Sequence, residues 1–336
     1  MQKFASIIAA LCFTALNAGA ALAEPLPVYG AVLEGFDYPF QVEHFNFNSQ
    51  GQSLSMAFMD VKPQAPNGRT IVLFHGKNFC AATWDTTITA LRFAGYRVIA
   101  IDQIGFCKSS KPEHYQYSFA QLAENTRALL KSRGIEHAII LGHSMGGMLA
   151  IRYALMFPEA VDTLVLVDPL GLEDWQAAGV PYASIDSLFD TELKTSAESI
   201  KAYQRKFYYH GEWRPDYDRW VYMLAGMFAG AGKASVAWSQ ALTSDMIFTQ
   251  PVVHELSRVK PRTVLMIGGR DRTAPGANRA PPDVAARLGR YPELARRAVQ
   301  MMQHAQLTEF PELGHAPQVE APEQFQRTLI EVLQGE

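Results

Sequence analysis

The feature that most constrains this chain is a Gly-x-Ser-x-Gly stretch centred on Ser144. An apolar run at residues 137–141 precedes it and is typical of a buried strand, and residues 148–156 have the composition of a helix. A turn this sharp needs Gly142 and Gly146, because a Cβ at either position would collide with neighbouring backbone. The pattern predicts a strand, a strained turn and a helix, with the Ser144 hydroxyl exposed at the carboxyl end of a sheet.

Other segments of the chain extend this unit into a sheet. Buried strands are also predicted at residues 70–74, 96–101, 163–167 and 263–267. Helical stretches separate them, including an amphipathic one at 118–133 that Ser118 caps and Gly134 ends. Two alternating segments, 42–47 and 53–61, predict a β-hairpin at the sheet edge. Because apolar strands that alternate with helices are covered on both faces, we predict an α/β fold with a mostly parallel sheet flanked by helices.

The alternation of strands and helices stops at residues 171–258. This stretch has no run typical of a buried strand and is rich in Trp, Tyr and Phe, so we predict a helical insertion there. After the strand at 263–267 we expect one helical stretch over about 282–303, a strand near 307–310 and a last helix. The chain then divides into a first part of the core at 24–170, the insertion at 171–258 and a second part of the core at 259–336.

The amino terminus has the features of a secretory signal peptide at residues 1–23. Lys3 provides the positive start, residues 7–16 provide a short apolar core, and Ala-Leu-Ala at 21–23 provides a cleavage site. We therefore expect an exported protein, periplasmic or secreted. No later stretch is long and apolar enough to span a bilayer, so we expect no stable membrane anchor once the signal peptide is removed.

The net charge and the cysteine content limit the partners and the cellular compartment that we expect for this protein. The net charge of −3 gives no basic surface, which argues against a nucleic-acid partner. Removal of residues 1–23 leaves two cysteines, Cys80 and Cys107. An oxidising compartment would permit a disulfide between them, and two isolated buried thiols are the alternative. The sequence leaves both possibilities open.

Motifs at the ends of the predicted strands carry a resemblance to a known family. In chain order they are His75-Gly76, Asp102-x-x-Gly105, Gly-His-Ser-Met-Gly-Gly at 142–147, Gly268-x-x-Asp271 and Gly314-His315. With these motifs in this order, the chain resembles the α/β-hydrolase superfamily over nearly all of its mature length, and in particular carboxylesterase-like serine hydrolases. The resemblance implies that the insertion is a helical cap over the substrate pocket.

The resemblance also implies a catalytic triad. Ser144 would be the nucleophile, His315 the base and Asp271 the acid that orients the imidazole. Some members of the superfamily carry the acid after the preceding strand, which makes Asp168 the alternative. The remaining histidines near the motifs are expected to be structural.

The oxyanion hole is expected from two backbone N–H groups. Met145, directly after the nucleophile, would supply one, and the loop after His75-Gly76 would supply the other, from Lys77 or, as runner-up, Asn78. The side chain of Lys77 could face an anionic substrate group, but a solvated lysine is the default expectation. Solvation is also the default for three acids of the insertion: Glu173, Glu192 and Glu212.

These residues point to acyl transfer on a medium-sized, fairly apolar ester, possibly a lactone. The sequence has no metal-ligand spacing, phosphate-binding glycine loop or dinucleotide fingerprint, so we expect no cofactor and no metal. A prolyl-type aminopeptidase is an alternative, although that family usually has Gly-Gly-Ser-Trp-Gly where this chain has Gly-His-Ser-Met-Gly. Further alternatives are a non-catalytic binding or signalling protein on the same scaffold, and a cofactor-free C–C bond hydrolase or dioxygenase.

Overall fold

The computed structural model describes residues 26–335, so the predicted signal peptide at 1–23 lies outside the described residues. The strands of this part are β1 (Val42–Ser49), β2 (Gln52–Val61), β3 (Thr70–Phe74), β4 (Arg97–Ile101), β5 (Ala138–His143), β6 (Val161–Val167), β7 (Thr263–Gly268) and β8 (Ala305–Phe310). They form one sheet in the order β1-β2-β4-β3-β5-β6-β7-β8. β2 is antiparallel to β1 and β4, and all other neighbours are parallel. The predicted mostly parallel sheet and its edge hairpin are confirmed.

The helices of the described part are α1 (Asp85–Phe93), α2 (Phe119–Ser132), α3 (Met145–Met156), α4 (Ile185–Glu192), α5 (Ala197–Phe207), α6 (Asp218–Ala229), α7 (Lys233–Thr249), α8 (Pro282–Ala285), α9 (Tyr291–Met301), α10 (Pro317–Glu320) and α11 (Pro322–Gln334). Residues Phe119–Ser132 form the helix predicted at 118–133, and the Ser118 side chain accepts a hydrogen bond from Gln121 N, as a cap does. Gly134 ends this helix with a φ of 67°.

The sheet separates two apolar cores. Alternate residues of β3 belong to different cores, since Val72 and Phe74 pack on one face and Ile71 and Leu73 on the other. α2, α3 and α9 contribute apolar side chains to the first core, and α1 and α11 to the second. Because both faces are covered, the central strands are buried along nearly their whole length, as their continuous apolar runs predicted.

One helix prediction was wrong. The single helical stretch expected over about 282–303 is two helices, α8 and α9, with a break at Gly289. Gly289 has a φ of 67°, and a Cβ there would lie 2.7 Å from the carbonyl oxygen of Arg272. Left-handed backbone and close approach to another chain segment both favour glycine at this position. An α-helix cannot continue through a residue in the left-handed conformation.

The segment between β6 and β7 is helical in the structure. α4 and α7 pack against each other, as do α5 and α6. Aromatic rings pack between its elements, and the rings of Tyr209 and Tyr217 stack with their centroids 3.8 Å apart. We refer to α4, α5, α6 and α7 with their connections as the helical insertion. No helix of the described residues is sufficiently long and apolar to cross a membrane.

Candidate active site

Ser144 lies at the turn between β5 and α3. Its φ of 57° and ψ of −120° are strained for a residue with a side chain. A Cβ at Gly142 would lie 2.1 Å from the carbonyl oxygen of Gly146, and a Cβ at Gly146 would lie 2.4 Å from the carbonyl oxygen of Phe74. The two glycines therefore permit the turn that presents the Ser144 side chain beyond the end of the sheet.

The structure brings Ser144, His315 and Asp271 together from three separate loops. His315 Nδ1 donates a hydrogen bond to Asp271 Oδ2 at 2.6 Å, and His315 Nε2 lies 2.9 Å from Ser144 Oγ. Ser144 is 2% exposed, and the other two side chains are fully buried. With its proton on Nδ1, the imidazole presents an unprotonated Nε2 to the hydroxyl. This is the arrangement in which a histidine can remove a serine proton.

The loops that carry His315 and Asp271 are held by further hydrogen bonds. Asp271 Oδ1 accepts from Thr273 N at 2.7 Å. Glu320 Oε2 accepts from the N–H of Gly314, also at 2.7 Å, and so fixes the backbone directly before His315. The first bond restricts the orientation of the Asp271 carboxylate. The second restricts the backbone that carries the His315 side chain.

Asp168, the alternative acid, lies beside this group but is not hydrogen-bonded to His315. Its Oδ1 accepts from Gly268 N at 2.9 Å. Burial, and then the neighbouring Asp271, raise the pKa of Asp168 well above its ordinary value. Asp271, and not Asp168, therefore forms the hydrogen bond with His315.

His75 and His143 have structural contacts. His75 Nδ1 donates to the carbonyl oxygen of Gly76 at 2.8 Å, and its Nε2 accepts from Gln103 N at 3.1 Å. His143 Nε2 donates to the carbonyl oxygen of His315 at 2.7 Å. Burial lowers the pKa of both side chains, and the neighbouring His315 lowers that of His143 further. Both are neutral rings that brace the loops around Ser144.

The two backbone segments predicted to form the oxyanion hole lie next to Ser144. Met145 is the first residue of α3, so its N–H has no acceptor inside the helix. The loop with Lys77 and Asn78 follows β3, and its backbone passes close to the serine, since a Cβ at Gly76 would lie 3.1 Å from Ser144 Cβ. N–H groups from both segments can therefore approach one oxygen of a bound carbonyl group.

A disulfide joins this loop region to the loop after β4. It links Cys80 with Cys107, whose Cα atoms are 5.9 Å apart. Both residues are buried. Of the two possibilities that the sequence left open, the structure contains the bridge.

The side chains of Lys77 and Glu192 are not solvated, and the default expectation for both was wrong. Lys77 Nζ donates to Glu192 Oε1 and to Gln240 Oε1, each at 2.9 Å. The Lys77 and Glu192 side chains are only 17% and 19% exposed. The contact links the loop after β3 to α4 and α7 of the helical insertion, which are more than 100 residues away in sequence.

The other two acids of the insertion differ from each other. Glu173 is also engaged, since its Oε1 accepts from Trp175 Nε1 at 3.1 Å and from Gly289 N at 2.9 Å. Burial raises the pKa of Glu173. Its predicted solvation was wrong, whereas Glu212 is exposed as predicted.

Two tyrosines of the helical insertion belong to the site and had no individual sequence signal. Tyr208 Oη accepts a hydrogen bond from Asn78 Nδ2 at 3.0 Å, and its ring centroid lies 4.9 Å from that of His315. Burial raises the pKa of the Tyr208 phenol above its ordinary value, and Tyr203 lines the cavity beside Ser144. The aromatic richness of the insertion was the only signal, and it does not distinguish residues at the site from residues of the insertion's own core.

A cavity of about 360 Å³ lies between the sheet's carboxyl end and the helical insertion. Its polar wall includes Lys77, Asn78, Ser144, Glu192, Tyr208 and Gln240. Its apolar wall includes Leu170, Leu188, Ile200, Leu224, Met227, Phe228, Val236, Ile247 and Phe248. A largely apolar cavity with a few polar groups around one nucleophile can hold a small organic substrate.

Comparisons with known proteins agree with this architecture. A crystal structure of a probable hydrolytic enzyme from Pseudomonas aeruginosa PAO1 is 59% identical, has a TM-score of 0.90, and is matched over 91% of this chain and 98% of that one. A 2-hydroxy-6-oxononadienedioate/2-hydroxy-6-oxononatrienedioate hydrolase from Comamonas testosteroni is 26% identical over 80% of this chain and 89% of its own. An esterase from Exiguobacterium antarcticum is similar in fold, with 21% identity and a TM-score of 0.66 over 84% of this chain and 96% of that one.

A family model covers most of the chain as well. The model of the alpha/beta hydrolase family matches residues 71–328, which include every motif residue from His75 to His315. With the sheet order and the strand-turn-helix at Ser144, this match shows that the chain belongs to the alpha/beta hydrolase family.

Proposed function

We propose that this protein is a serine hydrolase that cleaves carboxylic esters or lactones through an acyl-enzyme on Ser144. One observation carries the proposal. His315 lies between Ser144 Oγ, at 2.9 Å from Nε2, and Asp271 Oδ2, at 2.6 Å from Nδ1. This arrangement supplies a nucleophile, a base and an acid that fixes the base's tautomer, which are the three functions that acyl transfer requires.

The first half of the proposed reaction forms the acyl-enzyme. Ser144 Oγ bonds to the ester carbonyl carbon while its proton passes to His315 Nε2, and the carbonyl π electrons move to oxygen. The Asp271 carboxylate stabilises the imidazolium. The N–H groups of Met145 and Lys77 stabilise the oxyanion, and loss of one such donor typically costs about 10²–10³ in rate. The C–O bond to the alcohol then breaks, and the alcohol leaves with the proton from His315.

The second half releases the acid. A water molecule gives a proton to His315 Nε2 as its oxygen bonds to the acyl carbon. Collapse of the second tetrahedral intermediate breaks the bond to Ser144 Oγ, which recovers its proton from His315. The products are a carboxylic acid and an alcohol, and the enzyme returns to its starting protonation state.

The cavity supports a small, fairly apolar substrate. Lys77 is the charged group of the loop beside Ser144, and Glu192 already neutralises it at 2.9 Å. A neutral ester therefore needs to displace no ion pair. Apolar side chains of α6 and α7 make up much of the remaining wall, which favours an acyl or alkoxy group of medium length.

We also propose that the protein acts outside the cytoplasm after removal of residues 1–23. The disulfide between Cys80 and Cys107 supports this, because such bonds persist mainly in oxidising compartments. Fractionation of expressing cells should recover a protein that begins at Glu24 in the periplasm or medium. Recovery of the full-length chain in the cytoplasm would contradict the proposal.

A second candidate is hydrolysis of a C–C bond. It is favoured by the similarity to the Comamonas testosteroni hydrolase of 2-hydroxy-6-oxononadienedioate, over 80% of this chain. The two candidates differ in substrate, since one cleaves an ester and the other a 2-hydroxy-6-oxo acid of the kind named for that relative. Proteins named for either activity share this fold, so only substrates separate the two candidates.

The experiment combines a covalent probe with substrate panels. Mature protein is treated with a fluorophosphonate and assayed with p-nitrophenyl esters of increasing acyl length, a 2-hydroxy-6-oxo-dienoate and prolyl arylamides. Ser144→Ala should abolish labelling and turnover, whereas Ser244→Ala, at another serine of the cavity wall, should keep both. Cleavage of the dienoate without ester turnover would favour the second candidate, and arylamide cleavage would favour an aminopeptidase. A folded wild type that is neither labelled nor active would favour a non-catalytic binding protein.

A further inference from the structure

A second buried carboxyl group adjoins the His315–Asp271 pair. Asp168 follows β6 with a φ of 40° and is fully buried. Its Oδ1 accepts from Gly268 N, but its Oδ2 is buried with no hydrogen-bond partner in the described part of the chain. A carboxyl oxygen of Asp168, a carboxyl oxygen of Asp271 and a ring nitrogen of His315 all lie within 4.8 Å of one another. Asp168 does not line the cavity, whereas Ser144 does.

Two carboxyl groups this close cannot both ionise at low cost in a buried site. The other ionisable groups that face Asp168 are His315, Glu320 and Tyr291. Of these, only the imidazole can carry a positive charge, and its Nδ1–H points to Asp271 Oδ2. The groups that shift the pKa of Asp168 include neither an arginine nor a lysine.

The hydrogen bonds decide which carboxyl group keeps the proton. Both oxygens of Asp271 accept from N–H donors, Oδ2 from His315 and Oδ1 from Thr273. Asp168 has a donor on Oδ1 alone. N–H donors stabilise the charged form, so Asp271 is the better carboxylate and Asp168 the better carboxylic acid. Burial and the Asp271 charge raise the pKa of Asp168 in agreement with this assignment.

We propose that Asp168 carries a proton on Oδ2 and donates it in a hydrogen bond to the Asp271 carboxylate, which makes Asp168 a positioning residue for the acid. This proposal rests on the proposed serine-hydrolase function. The bond satisfies the otherwise unpartnered Oδ2 and leaves one negative charge, rather than two, beside His315. It holds the Asp271 carboxylate toward His315 Nδ1.

The kinetic test compares two substitutions at one position. In Asp168→Asn the amide N–H can donate to Asp271 while the amide oxygen still accepts from Gly268 N, so kcat should stay close to the wild-type value. In Asp168→Leu both bonds are lost, and kcat should fall roughly 10- to 100-fold with KM little changed. Asp271→Asn should be far more damaging than Asp168→Asn. A folded Asp168→Asn protein as inactive as Asp271→Asn would overturn the proposal.

The pH profile adds a readout that a purely structural role would not give. If Asp168 is neutral, its replacement by Asn removes no charge, and the acidic limb of kcat/KM should coincide with that of the wild type. If Asp168 is ionised, the substitution removes a negative charge near His315 and moves the acidic limb to lower pH. Such a shift would contradict the proposal.

Infrared spectroscopy tests the protonation without any need for turnover. At neutral pH the wild type should show a buried carboxylic-acid C=O band that disappears in Asp168→Asn. Asp60→Asn is the matched control, because Asp60 is buried and ion-paired with Arg97 and Arg133, and that variant should keep the band. Absence of the band from the wild type would overturn the proposal. A band in a protein that no fluorophosphonate labels would refute the serine-hydrolase function while leaving the Asp168 protonation intact.

Discussion

The disulfide between Cys80 and Cys107 allows a quantitative prediction of stability. The two residues are 27 positions apart. In the chain-entropy model, a cross-link that closes a loop of this length lowers the entropy of the unfolded chain by about 12 cal/mol/K. At 25 °C this corresponds to about 3.5 kcal/mol of stabilisation. Reduction of the bridge should therefore destabilise the folded protein by that amount.

The expected change in melting temperature follows from the size of the folded part. The structure describes about 310 residues. At about 2.1 cal/mol/K per residue, the unfolding entropy is roughly 0.65 kcal/mol/K, so 3.5 kcal/mol corresponds to about 5 °C. Activity at 25 °C should survive reduction, because the loop is also held by Ala81 N, which donates to Asp102 Oδ1 at 2.7 Å.

The assay is thermal unfolding of mature protein with and without reductant, followed by circular dichroism. Reduced wild type retains both sulfur atoms and so isolates the effect of the cross-link from that of side-chain volume. The double variant Cys80→Ala/Cys107→Ala is the control, and its melting temperature should not respond to reductant. Equal melting temperatures for oxidised and reduced wild type would refute the entropy argument, and two free thiols in unreduced, unfolded protein would refute the bridge itself.

Three further predictions concern the loops around the site. Gly142→Ala places a Cβ 2.1 Å from a backbone carbonyl oxygen of α3, so the free energy of unfolding measured by urea denaturation should fall by about 3 kcal/mol or more. A denaturation midpoint near that of the wild type would contradict this. Glu192→Gln removes the counter-charge of Lys77, so kcat/KM for esters that carry a carboxylate should rise roughly tenfold relative to kcat/KM for neutral esters. An unchanged ratio of the two kcat/KM values would show that the Lys77 ammonium does not reach the substrate. Glu320→Leu removes the acceptor that fixes the backbone before His315, so steady-state kinetics should show a lower kcat with little change in KM. Glu320→Gln should retain most of the activity. Equal kinetics for the two variants would contradict this role of Glu320.

The parts of the site that the sequence predicted well are those with a local signal. Ser144 was identifiable because the glycines on either side, the preceding apolar run and the following helix all lie within about twenty residues. His315 and Asp271 were identifiable from their positions after predicted strands and from the family resemblance. The structure places all three in one hydrogen-bonded chain.

Local patterns were misleading where a distant segment decides the environment. The break within 282–303 is an exception, because Gly289 and Pro292 are themselves local signals of a helix boundary. Lys77 and Glu192 are ordinary surface-type residues by sequence, and each is enclosed only because the helical insertion packs against the loop after β3. Tyr208 was one aromatic residue among many in the insertion.

The sequence by itself determined the α/β architecture, the hairpin at the sheet edge and the turn that presents Ser144. It could do so because strand and helix periodicities, and the conformational demands of glycine, are properties of neighbouring residues. Only the tertiary structure decided that Asp271 rather than Asp168 contacts His315, that Lys77 is paired with Glu192, and that Cys80 is joined to Cys107. These contacts connect residues that are 27 to 115 positions apart, and one of them discriminates between two acids at the ends of adjacent strands. Their distances depend on how loops and helices pack, and no local pattern encodes that packing.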